Sequence, residues 1–151
     1  MWIRMGGGSS KPKIKDVLEY LKQTAGWTKE DSSFGGTSGT SISYGNETVF
    51  TGEYISAGYS YFRSNTINVK NAKKLIASYN WNSLAGAMSG AFAVINADTN
   101  TVIYNTNKES FVNKEIDITY VDNLKIRIYM GNTGISNYYR GTMTVSKLML
   151  E

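Results

Sequence analysis

Lys74-Leu-Ile-Ala-Ser-Tyr-Asn-Trp81 and Ala87-Met-Ser-Gly-Ala-Phe-Ala-Val-Ile95 decide the fold, together with Thr66-Ile-Asn-Val69 before them and Thr101 to Tyr104 after them. In the first, Leu75, Ala77, Tyr79 and Trp81 fall on one side and Ser78, Asn80 and Asn82 on the other, the period of two of a half-buried strand. In the second, Met88, Phe92 and Val94 share one face and Ala87, Ala91, Ala93 and Ile95 the other, so both faces read as buried and the strand as central.

Outward from this stretch the same pattern continues. Further strands are expected over Ser41–Tyr44, Thr48–Thr51, Tyr54–Arg63, Phe111–Tyr120, Leu124–Met130 and Thr142–Leu150. Ile116, Ile118 and Tyr120 oppose Glu115, Asp117 and Thr119. Leu124, Ile126, Ile128 and Met130 oppose Lys125, Arg127 and Tyr129, and Val121-Asp-Asn-Leu124 reads as a tight turn between the two runs. Regularly spaced short strands with turns between them predict a mainly β protein, an antiparallel β-sandwich or jelly roll over residues 41–151.

Three segments precede it. Residues 1–12 form an arm, in which Trp2, Ile3 and Met5 make an apolar tip ahead of Gly6-Gly-Gly8. Residues 13–26 read as one short α-helix, with Ile14, Val17, Leu18 and Leu21 at i, i+3, i+4 and i+7, Pro12 at its start and Gly26 as its stop. Its apolar stripe needs cover, from its own sandwich or from a neighbouring subunit. Residues 27–40 form a Gly/Ser/Thr-rich connector without the Lys-Ser/Thr ending of a phosphate loop.

At 151 residues the chain suits one domain with an appendage. It has no Cys and no His, which removes disulfides, thiolate chemistry, imidazole ligands and every Ser-His or Cys-His nucleophile. No cofactor is expected, and carboxylates are the enzymatic option that remains. Glu115 and Asp117 share a strand face, for which an ion-paired face with Lys125 and Arg127 is the simpler account. Asp98, Asn96 and Asn100 cluster in a turn but lack the spacing of a calcium loop, so no metal is assigned. The net charge of +4 is concentrated at the start: residues 1–30 hold six basic groups against three acidic ones, leaving a nearly neutral body. That distribution argues against a nucleic-acid partner. No apolar run is long enough for a membrane span, and the start lacks the apolar region of a secretory signal, so synthesis in a cytoplasm without export is expected.

The aromatic inventory points to contact with something. There are eleven tyrosines and three tryptophans, with clusters at Tyr54, Tyr59 and Tyr61, at Tyr79 and Trp81, and at Tyr138 and Tyr139. Tyrosine pairs an apolar ring with a polar tip, which suits stacking on a sugar or filling an interface. In the Gly131–Arg140 loop, Tyr138, Tyr139 and Arg140 are the candidate contacts for a glycan or a protein interface.

Two stretches carry a resemblance. Thr66-Ile-Asn-Val69, Ala72-Lys-Lys-Leu-Ile-Ala-Ser-Tyr79 and Gly141-Thr-Met-Thr-Val-Ser-Lys-Leu-Met-Leu150 resemble galactose-binding-like and carbohydrate-module jelly rolls. Met1-Trp-Ile-Arg-Met-Gly-Gly-Gly8, joined to a short helix and a Ser/Gly/Thr-rich connector, resembles small virion proteins of tailed bacteriophages with Gram-positive hosts. The resemblance implies a non-enzymatic virion structural protein of tail, baseplate or capsid decoration. Trp2, Ile3 and Met5 would anchor it to other virion proteins. Independently of the resemblance, the helix stripe and the aromatic-rich faces want cover, so a homo-oligomer is expected. A carbohydrate-binding adhesin that recognises a host cell-surface glycan is the alternative, and a carboxylate glycoside hydrolase using Glu115 and Asp117 the third reading.

Overall fold

Described by a computed structural model, residues 14–32, 39–132 and 138–151 form two antiparallel sheets packed face to face, with one short helix. The strands are β1 (Trp27–Asp31), β2 (Ser41–Tyr44), β3 (Thr48–Tyr54), β4 (Gly58–Ser64), β5 (Ile67–Asn68), β6 (Lys74–Ala85), β7 (Ser89–Asn96), β8 (Thr101–Asn105), β9 (Phe111–Asp117), β10 (Asn123–Asn132) and β11 (Tyr139–Leu150). One sheet runs β1-β4-β10-β7-β8, with β5 also paired to β10; the other runs β2-β3-β11-β6-β9. The expected β-sandwich is present, and the chain passes back and forth between its two sheets as in a jelly roll.

The alternation in the sequence maps onto the space between the sheets. Phe50, Tyr54, Phe62, Leu75, Phe92, Ile126, Ile128, Met143 and Val145 are fully buried. Phe50 meets Trp27 at 4.7 Å and Phe62 at 5.2 Å between ring centroids, while Tyr79 stacks on Phe92 at 4.5 Å. Each such side chain contributes about 1.5 to 3 kcal/mol on burial, so the core holds without cross-links. Trp81 enters between the sheets over Gly90 of β7 and Gly141 of β11, where any Cβ would collide with its indole.

The helix α1 covers only Val17–Gln23. Asp16, rather than Pro12, opens it, its carboxylate accepting from Glu19 N at 3.0 Å. Val17, Leu18 and Leu21 are buried in the protein's own core, which answers the question of what covers the stripe and removes one motive for oligomerisation. A seven-residue helix has no stability of its own and exists because of this packing. Ile14 precedes it and packs on the core from outside the helix.

Several expectations need correction. The segment expected as connector contains β1, which pairs with β4 from Trp27 opposite Ser64 to Asp31 opposite Ser60, so the sandwich begins well before Ser41. Tyr54–Arg63 is not one strand: β3 ends at Tyr54 and β4 begins at Gly58 in the other sheet, the chain reversing where Ser56 takes φ 72°. The β9–β10 joint is no hairpin either, since β9 lies beside β6 and β10 beside β7. Asp117 stops β9 by accepting from both Thr119 N and Thr119 Oγ1, after which Ile118 and Val121 turn inward and Tyr120 is 96% exposed. Glu115 therefore pairs with Lys74 of β6 at 2.8 Å and not with Lys125 or Arg127.

Candidate functional site

The outer face of the β1-β4-β10-β7-β8 sheet carries a groove of about 350 Å³, lined by Tyr61, Ser89, Ala91, Asn105, Thr106, Asn107, Arg127 and Tyr129. Alternation generates it. On β4 the inward side chains are Ser60, Phe62 and Ser64, which leaves Tyr59, Tyr61 and Arg63 facing out. On β10 Leu124, Ile126, Ile128 and Met130 face in, so Lys125, Arg127 and Tyr129 face out. The register sets Tyr129 opposite Tyr61 on one side and opposite Ala91 of β7 on the other. A wall of tall side chains thus stands beside a floor of small ones, Ser89 and Ala91.

The rings of that wall brace one another. Tyr61 meets Tyr129 edge to face at 5.0 Å and Tyr59 edge to face at 5.7 Å, and Tyr59 and Tyr129 lie within 14° of parallel at 6.5 Å. Gly131, opposite Tyr59, leaves the space that the Tyr129 ring end occupies; a Cβ there would sit 2.8 Å from Tyr129 Cζ and 2.9 Å from Tyr59 Cβ. Partial burial, then the neighbouring Tyr61 and Tyr59 hydroxyls, push the Tyr129 phenol above its ordinary value of 10.0, so it is a neutral donor throughout the physiological range. Two guanidiniums cover Tyr61: Arg63 at 4.6 Å and Arg127 at 5.7 Å from the ring centroid.

The opposite wall is made of amides, Asn105 and Asn107, on the segment that leaves β8. Buried Thr106 fixes it: Thr106 N donates to Phe92 O at 3.0 Å, and Phe92 N donates to Thr106 Oγ1 at 3.1 Å. Lys108 N closes the joint by donating to Gly90 O at 2.7 Å. The floor is therefore tied to this wall by hydrogen bonds.

Tyr138 and Arg140 lie elsewhere, beside β3 in the other sheet. Tyr138 donates to Glu53 Oε2 at 2.6 Å, and Arg140 Nε stands 3.6 Å from the same oxygen. Glu53 holds the Tyr138 phenol above its ordinary value. Tyr139 points the other way and is buried, its ring against Gly86. The three residues therefore do not share one surface. Trp2, Ile3 and Met5 lie outside the described residues.

Neither carboxyl of the Glu115–Asp117 pair is raised. Lys74 holds the Glu115 carboxyl below its ordinary value and Thr119 does the same for Asp117, whereas a glycosidase needs one carboxyl raised enough to donate a proton. Asp98 accepts from Asn123 Nδ2 at 3.0 Å, a turn-closing contact. Among the described residues no group of three carboxylates stands close enough to hold a metal ion. A second cleft of about 150 Å³ beside α1 includes Asp16, Glu19, Lys22 and Lys147 in its lining, and its Asp16 is already engaged as the helix cap.

The sheet order and the face-to-face packing define an antiparallel jelly-roll β-sandwich. No protein-family model matches the chain, and no curated protein does. Solved structures do share its fold. TmCBM61 in complex with β-1,4-galactotriose superposes with a TM-score of 0.52 at 9% identity, covering 91% of this chain and 99% of that one. The enzymatically active domain of tailspike protein 4 of bacteriophage CBA120 gives 0.51 at 9% identity, covering 93% of this chain. The glycoside hydrolase domain of Endo-D from Streptococcus pneumoniae R6 gives 0.51 at 10% identity, covering 80%. This chain spans 21% of each of those two longer chains. At such identities the likeness is one of fold.

Proposed function

We propose that this protein is a non-catalytic saccharide-binding module, and that the groove between the Tyr59–Tyr61–Tyr129 wall and the Asn105–Asn107 wall takes the sugar. The observation that carries this reading is the pairing of an aromatic wall with an amide wall across a floor of Ser89 and Ala91. A pyranose has an apolar C–H face and a rim of hydroxyls; the first packs on an aromatic ring and the second bonds to amides and phenols. The groove volume lies at the small end of ligand clefts, about 300 to 1,000 Å³. The fold shared with a structure bound to β-1,4-galactotriose supports the reading and makes galactans a sensible first probe.

A glycan array probed with the whole protein tests it. Saturable binding to at least one saccharide class, lost in Tyr129→Ala and kept in Tyr138→Ala, is expected. Absence of saturable binding across the array overturns the reading.

The virion setting is a second reading. It is supported by the same fold within a bacteriophage tailspike and by the composition of residues 1–12. In that setting the sandwich is the displayed, glycan-contacting part and the arm the attachment. Isolation of the protein as a component of purified particles tests it, and its recovery only as a free protein counts against it.

A further inference from the structure

The same outer face carries more positive charge than its own carboxylates answer. Arg63 of β4 and Arg127 of β10 are direct cross-strand partners, and both guanidiniums gather at the Tyr61 ring. Like charges placed directly opposite one another on a sheet are destabilising, so the arrangement has an electrostatic cost. Only one carboxylate answers it: Glu30 of β1, at 2.6 Å from Arg63 Nη1. Every Asp and Glu of the chain lies within the described residues, and none pairs with Arg127 or with Lys125 beside it. Arg127 Nε is moreover buried without a hydrogen-bond partner among the described residues, although Arg127 lines an open groove. Nε itself is shielded from the groove, so an oxyanion there would be held by the Nη N–H groups of the same guanidinium.

Resting on the saccharide-binding reading, we propose that the ligand class is acidic, a saccharide bearing a uronate carboxylate, and that Arg127 is the residue that reads the charge. Stacking on Tyr61 holds the guanidinium plane in place, and a planar fork fits a carboxylate with two parallel N–H···O bonds. Lys125 adds a second positive charge along the same strand. The tyrosine wall and the amides Asn105 and Asn107 then hold the rest of the sugar. A neutral saccharide offers Arg127 only hydroxyl or ring oxygens, without the charge-assisted bidentate pair that a carboxylate makes, which is the physical source of discrimination.

The test compares three probe sets by titration calorimetry on the whole protein: neutral oligosaccharides such as β-1,4-galactotriose, uronate oligosaccharides, and the methyl esters of those same uronates. The ester keeps the rings and removes the charge, so the comparison on unaltered protein does not depend on any variant folding. A uronate should bind at least about tenfold more tightly than its ester, the range of one charge-assisted hydrogen bond. Its affinity should fall as salt rises. Arg127→Gln, with an unchanged far-ultraviolet spectrum, should remove that difference, so that acid and ester bind the variant with equal affinity. Equal affinity for acid and ester, or a preference that survives Arg127→Gln, overturns the acidic assignment and leaves the saccharide reading standing. No binding in any of the three sets overturns both.

Discussion

Truncating Tyr129 to alanine separates the groove from every other candidate surface. In the folded protein the ring is half-buried, meets Tyr61 edge to face at 5.0 Å and lies nearly parallel to Tyr59 at 6.5 Å. Two aromatic pairs at about 0.5 to 1.5 kcal/mol each give a loss of stability of roughly 1 to 3 kcal/mol. For a domain of this size each kcal/mol corresponds to about 2 to 4 °C, so Tm should fall by roughly 2 to 12 °C with the transition still cooperative. Binding should suffer more. A central aromatic contact typically accounts for about 2 kcal/mol or more, which is roughly a thirtyfold loss of affinity. Calorimetric titration with the best saccharide from the array, beside a thermal melt, reads both effects. Tyr138→Ala is the matched control on the opposite sheet: it removes the bond to Glu53 and should leave affinity unchanged and stability within about 0.5 kcal/mol. Unchanged affinity in Tyr129→Ala, or a collapse of affinity in Tyr138→Ala, would refute the placement of the site.

Gly131→Ala displaces the Tyr129 and Tyr59 rings while deleting neither, and should weaken saccharide binding by about 1 kcal/mol or more, roughly fivefold, in a protein that still melts cooperatively; full affinity would show that the ring positions are immaterial. Burial holds the Tyr54 and Tyr79 phenols above 10.0, so the folded state keeps protons that the unfolded chain gives up. Their contribution is complete below pH 10 and is lost as pH rises above it, by up to about 1.4 kcal/mol per pH unit for each group. Urea midpoints measured from pH 8 to pH 11 should fall only at the alkaline end, with a shallower fall in Tyr79→Phe, and a flat profile would contradict the buried phenols. Removing residues 1–10 should leave the β domain folded, read as a cooperative melt, and should abolish entry into particles if Trp2, Ile3 and Met5 anchor the protein; normal incorporation counts against the arm as anchor.

Alternating strands announced themselves. β2 has the expected limits, β10 and β11 extend theirs by a few residues, and Leu75, Ala77 and Tyr79 all face the core. β1 was hidden because Trp27 is its only large apolar residue: the strand lies at the sheet edge and carries charge on both faces, Lys29 on the side of Trp27 and Glu30 on the other. The split between β3 and β4 was hidden because Tyr54, Ser60 and Phe62 are all buried, so the hydrophobic pattern runs through the joint without interruption. The groove was partly legible. Tyr59 and Tyr61 stand two apart and Arg127 and Tyr129 two apart, each pair on the solvent side of a clean alternation. What the sequence could not show is that β4 and β10 are neighbours, since that depends on pairing across more than sixty residues. For the same reason Ala87, Ala91, Ala93 and Ile95 read as a second buried face. In the structure Ala93 is buried, while Ser89 and Ala91 are small because they floor a groove.

The most direct test is an amide-resolved NMR titration of the isotope-labelled protein with the best-binding saccharide. Shifts that saturate together should concentrate at Tyr61, Ala91, Asn105, Asn107, Arg127 and Tyr129, on the outer face of the β1-β4-β10-β7-β8 sheet. Saturable shifts centred instead on Glu53, Tyr138 and Arg140 would contradict the account.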